Sequence, residues 1–113
     1  LRALIAARQP VAVAVPVLQE ILQGARTHER FQALRRYFEP IECYAPNDAR
    51  ISAIDAARLY VECRVRGFSV RSSNDCLIAC LAIEHDAQLL HHDRDFDAIA
   101  RVEPRLRMYE AAA

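Results

Sequence analysis

The feature that most constrains this chain is an unbroken run of eight apolar residues, Cys76 to Ile83, opened by Ser72-Ser73-Asn74-Asp75. A helix that is apolar all round is buried on several sides, so the rest of the chain has to supply the layers around it. Asp75 stands at the mouth of that helix, and a carboxylate at the edge of a core needs a partner. Two local ones are available. Ser72-x-x-Asp75 before an apolar run has the form of a capping box, and an acid in the first turn is favoured by the helix dipole.

The flanking segments read as the missing layers. Val11–Val15 is a short β-branched run, suited to a buried parallel strand. Pro16 opens the next helix, in the position where its missing N–H costs nothing, with Val17, Leu18, Ile21, Leu22 and Ala25 on the apolar face. Thr27 is placed to cap a further helix with Arg30 at its third position, apolar at Phe31, Leu34 and Phe38 and broken by Pro40. Ile41–Tyr44 follows as a strand. Asn47 or Asp48 caps a long helix ending near Arg66, whose apolar positions are Ile51, Ile54, Ala57, Leu59, Val61 and Val65. Gly67 fits its stop. After the loop Phe68–Arg71 come the buried helix over 73–86, a strand over 88–91, a short helix over 95–101 and an edge strand Leu106–Tyr109. Leu1–Ala7 reads as a helix, ended by Pro10, and Ala111–Ala113 as a frayed tail. Alternating strands and helices imply an α/β fold, a short parallel sheet flanked by helices.

Length and composition bound the rest. A chain of 113 residues fits a single domain, and 53% hydrophobic content excludes global disorder. Fifteen acidic residues balance fifteen basic ones, so net charge argues neither for nor against a nucleic-acid partner. Every basic residue is Arg, the side chain suited to bidentate contact with phosphate. No apolar run reaches membrane-spanning length. Cys43, Cys63, Cys76 and Cys80 form no C-x-x-C pair and sit in apolar or helical stretches, which leads us to expect buried free thiols in a reducing cytoplasm.

The chemistry lies in the acids. Asp93 and Asp95 follow the strand at Leu89-Leu90, where an α/β fold places its functional groups. Glu20 lies on the first turns after the strand at Val11–Val15. Each acid has an ordinary reading: Glu20 belongs to a solvated face with Gln19 and Gln23, and Asp93, Asp95 and Asp97 sit in a helix's first turn. They do not make an EF-hand loop, because Ala98 and Pro104 stand where Gly and Glu are required. Taken together, Glu20, Asp75 and Asp93 or Asp95 stand at one end of a parallel sheet, and converging carboxylates repel unless a cation neutralises them. Oxygen-only donors select Mg²⁺ or Mn²⁺. Such ions support in-line displacement at phosphorus, so metal-assisted phosphodiester hydrolysis is the reaction expected.

Three segments carry a resemblance: Pro16–Gly24 (PVLQEILQG), Asn74–Ala82 (NDCLIACLA) and Leu89–Phe96 (LLHHDRDF). In order and spacing they resemble a PIN domain, and more closely the VapC-type toxins of bacterial toxin–antitoxin pairs. The resemblance implies a three-layer PIN-like fold and a metal-dependent endoribonuclease using Mg²⁺ or Mn²⁺. It maps the family's helix glutamate onto Glu20, its helix-mouth aspartate onto Asp75, and its last acidic position onto Asp93 first and Asp95 second, with Ser73 or Asn74 in contact with the carboxylates. Arg26, Arg30, Arg35, Arg36, Arg94, His91 and His92 are then candidates for contact with RNA phosphates. It also implies a homodimer, and an antitoxin of VapB type whose helix and basic residue enter the acidic site, with Leu4, Ile5, Leu22 and Phe31 as candidates for its groove. The family's first strand, ending in a metal-binding Asp, has no match here. We therefore expect that this domain is truncated at its N-terminus and that the native product carries that segment upstream. Two other functions stay open: a non-catalytic PIN-like binding module, and a structural α/β domain whose acids are only helix caps.

Overall fold

The computed structural model describes residues 12–89 and 94–109. The expected helix Leu1–Ala7, Val11, the Leu90–Asp93 turn and the tail after Tyr109 lie outside the described residues. The chain falls into two compact units, Leu1–Ala45 and Pro46–Ala113.

In the first unit, β1 (Ala12–Ala14) runs straight into α1 (Val15–Gln23), with Pro16 in its first turn. Thr27 then caps α2 (His28–Phe38), its hydroxyl accepting from the Arg30 N–H at 3.0 Å. β2 (Glu42–Tyr44) returns parallel to β1, in the register Ala12–Glu42, Val13–Cys43 and Ala14–Tyr44. Among the described residues of this unit Val13 and Phe38 are buried, and the apolar side of α1 is half-buried.

The second unit is built on α3 (Ala49–Val65) and α4 (Ser73–Glu84), which pack on each other, with α5 (Arg94–Val102) against both. Asp48 caps α3, accepting from the Ile51 N–H at 3.0 Å. The expectation for α4 holds: Cys76, Ile78, Ala79, Leu81 and Ala82 are all buried. A parallel pair, β3 (Gln88–Leu89) with β4 (Arg107–Met108), completes the unit. Arg107 Nη2 fastens β4 by donating to the Asp86 carboxylate at 2.6 Å and to its backbone carbonyl at 3.0 Å.

Both long helices end alike. After α3, the Phe68 N–H donates to the Cys63 carbonyl and the Gly67 N–H to that of Arg64, with Gly67 at φ +84°. After α4, Ala87 bonds back to Ala82 and Asp86 to Ile83, with Asp86 at φ 52°. These are Schellman stops, which need a left-handed residue past the helix end. The left-handed Asp86 ends α4 at Glu84, two residues before the end expected, and an Asp marks such a stop in sequence less plainly than a Gly does.

Two expectations are overturned. The inward face of α3 is Ser52, Ala56, Leu59 and Cys63, whereas Ile51, Ile54, Val61 and Val65 are 50–74% exposed. The small side chains of Ser52 and Ala56 let the apolar α4 approach closely, and that packing outweighs the hydrophobicity of the opposite stripe. Cys43 is exposed on β2, not buried; Cys63 and Cys76 are buried, Cys80 is half-buried, and all four thiols are free.

Candidate functional site

Asp75 lies in the first turn of α4, half-buried. The turn before it is organised by its own hydrogen bonds. The Ser72 hydroxyl accepts from the Asn74 N–H at 3.2 Å, and the Ser72 carbonyl accepts from the Asp75 N–H at 3.2 Å. Ser73 and Asn74 are exposed beside it.

Asp95 lies in the first turn of α5 and is buried, with 8% of its surface exposed. Its Oδ2 accepts from the backbone N–H of Arg71 at 3.0 Å and from Arg71 Nε at 3.2 Å. A buried carboxylate is tolerated when charged hydrogen bonds replace its lost water. Arg71 directly precedes the Ser72 cap, so this contact joins the mouth of α5 to the mouth of α4. Of the sequence-assigned acids, Asp75 and Asp95 thus both lie in the second unit, linked along the chain through the Arg71–Ser72 segment.

The other assigned residues are distributed differently. Asp93, His91 and His92 lie outside the described residues. Glu20 is exposed on α1 of the first unit, together with exposed Arg26, Arg30, Arg35 and Arg36. Arg94 is exposed at the start of α5, and Asp97 is exposed in the same first turn. Of the candidate groove residues, Leu22 is half-buried and Phe31 is 38% exposed. Arg71 was missed in the sequence. Its signal was a cation directly before the Ser-Ser-Asn-Asp cap.

The donor chemistry separates hard from soft metals. Burial pushes the Cys76 thiol up to about 12 and the Cys80 thiol up to about 11, so both stay protonated at neutral pH. Protonated core thiols are poor ligands for zinc. Among the described residues no group of three His, Cys, Asp or Glu side chains is gathered to hold a metal. The helix mouths offer carboxylate oxygen, which fits a hard divalent ion.

A family model for the PIN domain matches residues 1–102. The chain belongs to the PIN domain family. Within it the similarity is to VapC-type proteins. A VapC ribonuclease of Mycobacterium bovis and the ribonuclease VapC11 of Mycobacterium tuberculosis are each 42% identical over 92 residues, 81% of this chain and 68% of the relative. The crystal structure of VapBC2 from Rickettsia felis bound to a DNA fragment from their promoter matches with a TM-score of 0.66. That match covers 95% of this chain and 79% of the other at 22% identity, and bears on the fold alone. The α/β architecture of this PIN domain, with its short parallel strands and surrounding helices, agrees with the sequence expectation.

Proposed function

We propose that this PIN domain is a metal-dependent endoribonuclease, the toxin of a type II toxin–antitoxin pair acting in the cytoplasm. The observation that carries the reading is the 42% identity, over most of the chain, to proteins named VapC ribonucleases. Asp75 at the mouth of the buried α4 supports it, as the kind of half-buried oxygen donor the chemistry needs.

Asp75 and Asp93 would hold Mg²⁺ or Mn²⁺, and Glu20 is carried over as a further ligand by the family resemblance alone. Bound there, the ion supplies an activated water and stabilisation of the leaving oxygen. The chain's own groups do the positioning. The Ser72 cap orders the first turn of α4, the turn on which Asp75 stands. Arg94, exposed at the start of α5, is a candidate for contact with an RNA phosphate. Arg26, Arg30 and His92 extend the phosphate contact without reading sequence. The partners are an RNA substrate, a VapB-type antitoxin and a second copy of the chain. No described helix is long and apolar enough to cross a membrane.

The test is cleavage of a panel of single-stranded and stem–loop RNAs with Mg²⁺ or Mn²⁺, alongside Asp75→Asn and EDTA, with Mn²⁺ binding measured in parallel. Cutting that needs the ion and is lost in the variant is expected. A protein that neither cuts nor binds Mn²⁺ would overturn the reading and favour a binding module.

A further inference from the structure

Among the described residues Asp95 is the only charged residue that is buried, with 8% of its surface exposed. Its Oδ2 is engaged by two donors of one residue, the Arg71 N–H at 3.0 Å and Arg71 Nε at 3.2 Å. One of these donors carries a positive charge. An oxygen that faces a guanidinium is poorly placed to receive a second cation, because the two positive groups compete for the same lone pairs.

What the contact does hold is the approach to α4. From Asp95 a line of hydrogen bonds runs to the Arg71 peptide, on through the adjacent Ser72, whose hydroxyl accepts from Asn74 and whose carbonyl accepts from Asp75. We propose that Asp95 is a positioning residue and not a metal ligand: it clamps the Arg71 peptide and so sets the turn that presents Asp75. This rests on the reading of Asp75 as a ligand given above. It also gives Asp95 a role different from that of Asp93, the ligand that the family resemblance ranks first. The Arg71 side chain, 73% exposed, is held by the same bond at the edge of the site.

Three variants decide it: Asp95→Asn, Asp95→Ala and Asp75→Asn. Each is read by Mn²⁺ titration and by amide hydrogen exchange across residues 71–76. Asn keeps the size and one carbonyl acceptor for Arg71 but lacks the charge a metal ligand needs. Asp95→Asn is therefore expected to lose much less Mn²⁺ affinity than Asp75→Asn. Asp95→Ala is expected to speed exchange across 71–76 and to weaken Mn²⁺ binding by about tenfold or more, the effect typical of groups that orient a ligand. Equal loss in Asp95→Asn and Asp75→Asn would overturn the proposal, as would exchange in Asp95→Ala matching the parent protein. Should Asp95→Ala not fold, the Asn comparison still decides. Should the parent bind no Mn²⁺, the ribonuclease reading fails, while the exchange data still decide whether Asp95 clamps the turn.

Discussion

The Ser52 hydroxyl, buried on α3, donates to Oε2 of Glu84 at the far end of α4 at 3.1 Å. The other Glu84 oxygen accepts from the Asn47 N–H at 2.9 Å, so one carboxylate ties the start of α3 to the end of α4. Truncation in Glu84→Ala leaves both donors without this acceptor. A loss of about 1–3 kcal/mol in unfolding free energy is expected. Glu84→Gln, which keeps an acceptor, should lose less. Urea denaturation of the two variants checks the order.

The face of α3 that packs inward can be tested by a pair of substitutions. Leu59 is 9% exposed and Ile54 is 50% exposed. Leu59→Ala should cost about 2–5 kcal/mol through lost burial and a cavity. Ile54→Ala should stay within about 0.5 kcal/mol, as surface changes do. Similar losses at both positions in urea melts would contradict the packing described.

Gly67 stands at φ +84°, with open space where a Cβ would sit. The cost of a side chain is therefore conformational and not steric crowding by neighbours. Gly67→Ala is expected to destabilise by about 1–2 kcal/mol. Thermal melts of the variant give the measurement.

The core thiols make stability fall in alkali. Burial raises Cys76 to about 12 and Cys80 to about 11, from an ordinary value of 9.0. Between the ordinary value and these raised ones, the unfolded chain has released its thiol protons while the folded chain keeps them. The unfolded state then binds fewer protons, so unfolding free energy drops as pH rises. The stabilisation is complete below about pH 9 and is lost as pH climbs through the raised values. Urea midpoints followed from neutral to about pH 10.5 should decline, and less steeply in Cys80→Ala.

Asp75→Asn should leave the fold intact, and in the absence of metal no less stable, while weakening metal binding. Removing the Asp75 charge relieves repulsion within the proposed acidic site, and Asn retains the size of the side chain in the first turn of α4. The melting temperature of the metal-free variant against its parent is the measurement. A sharp fall would mark Asp75 as a structural cap and not a ligand.

Much of this molecule was legible in local pattern. The all-apolar run Cys76–Ile83 identified the buried helix because it follows a Ser-x-x-Asp helix start, and a helix apolar all round is buried on several sides. Thr27, Asp48 and Ser72 were identifiable as caps because the hydroxyl or carboxylate that satisfies a helix's first N–H groups sits next to them in sequence. The candidate acids Asp75 and Asp95 were legible for the same reason, each being tied to a helix start that sequence can locate.

What sequence left undecided depends on which surfaces meet. Of the expected apolar positions on α3 Leu59 is buried, but Ile51, Ile54, Val61 and Val65 are exposed while Ser52, Ala56 and Cys63 are buried beside Leu59, a choice that only the approach of α4 made. The bond from Arg71 to Asp95 spans 24 residues, and nothing local to either one announces it. By itself the sequence determined the elements, their caps and the family, because these follow from spacing along the chain. The tertiary structure decided which side of α3 is core, and that Asp95 is buried against Arg71, because close packing and the desolvation of a charge arise only when distant segments come together.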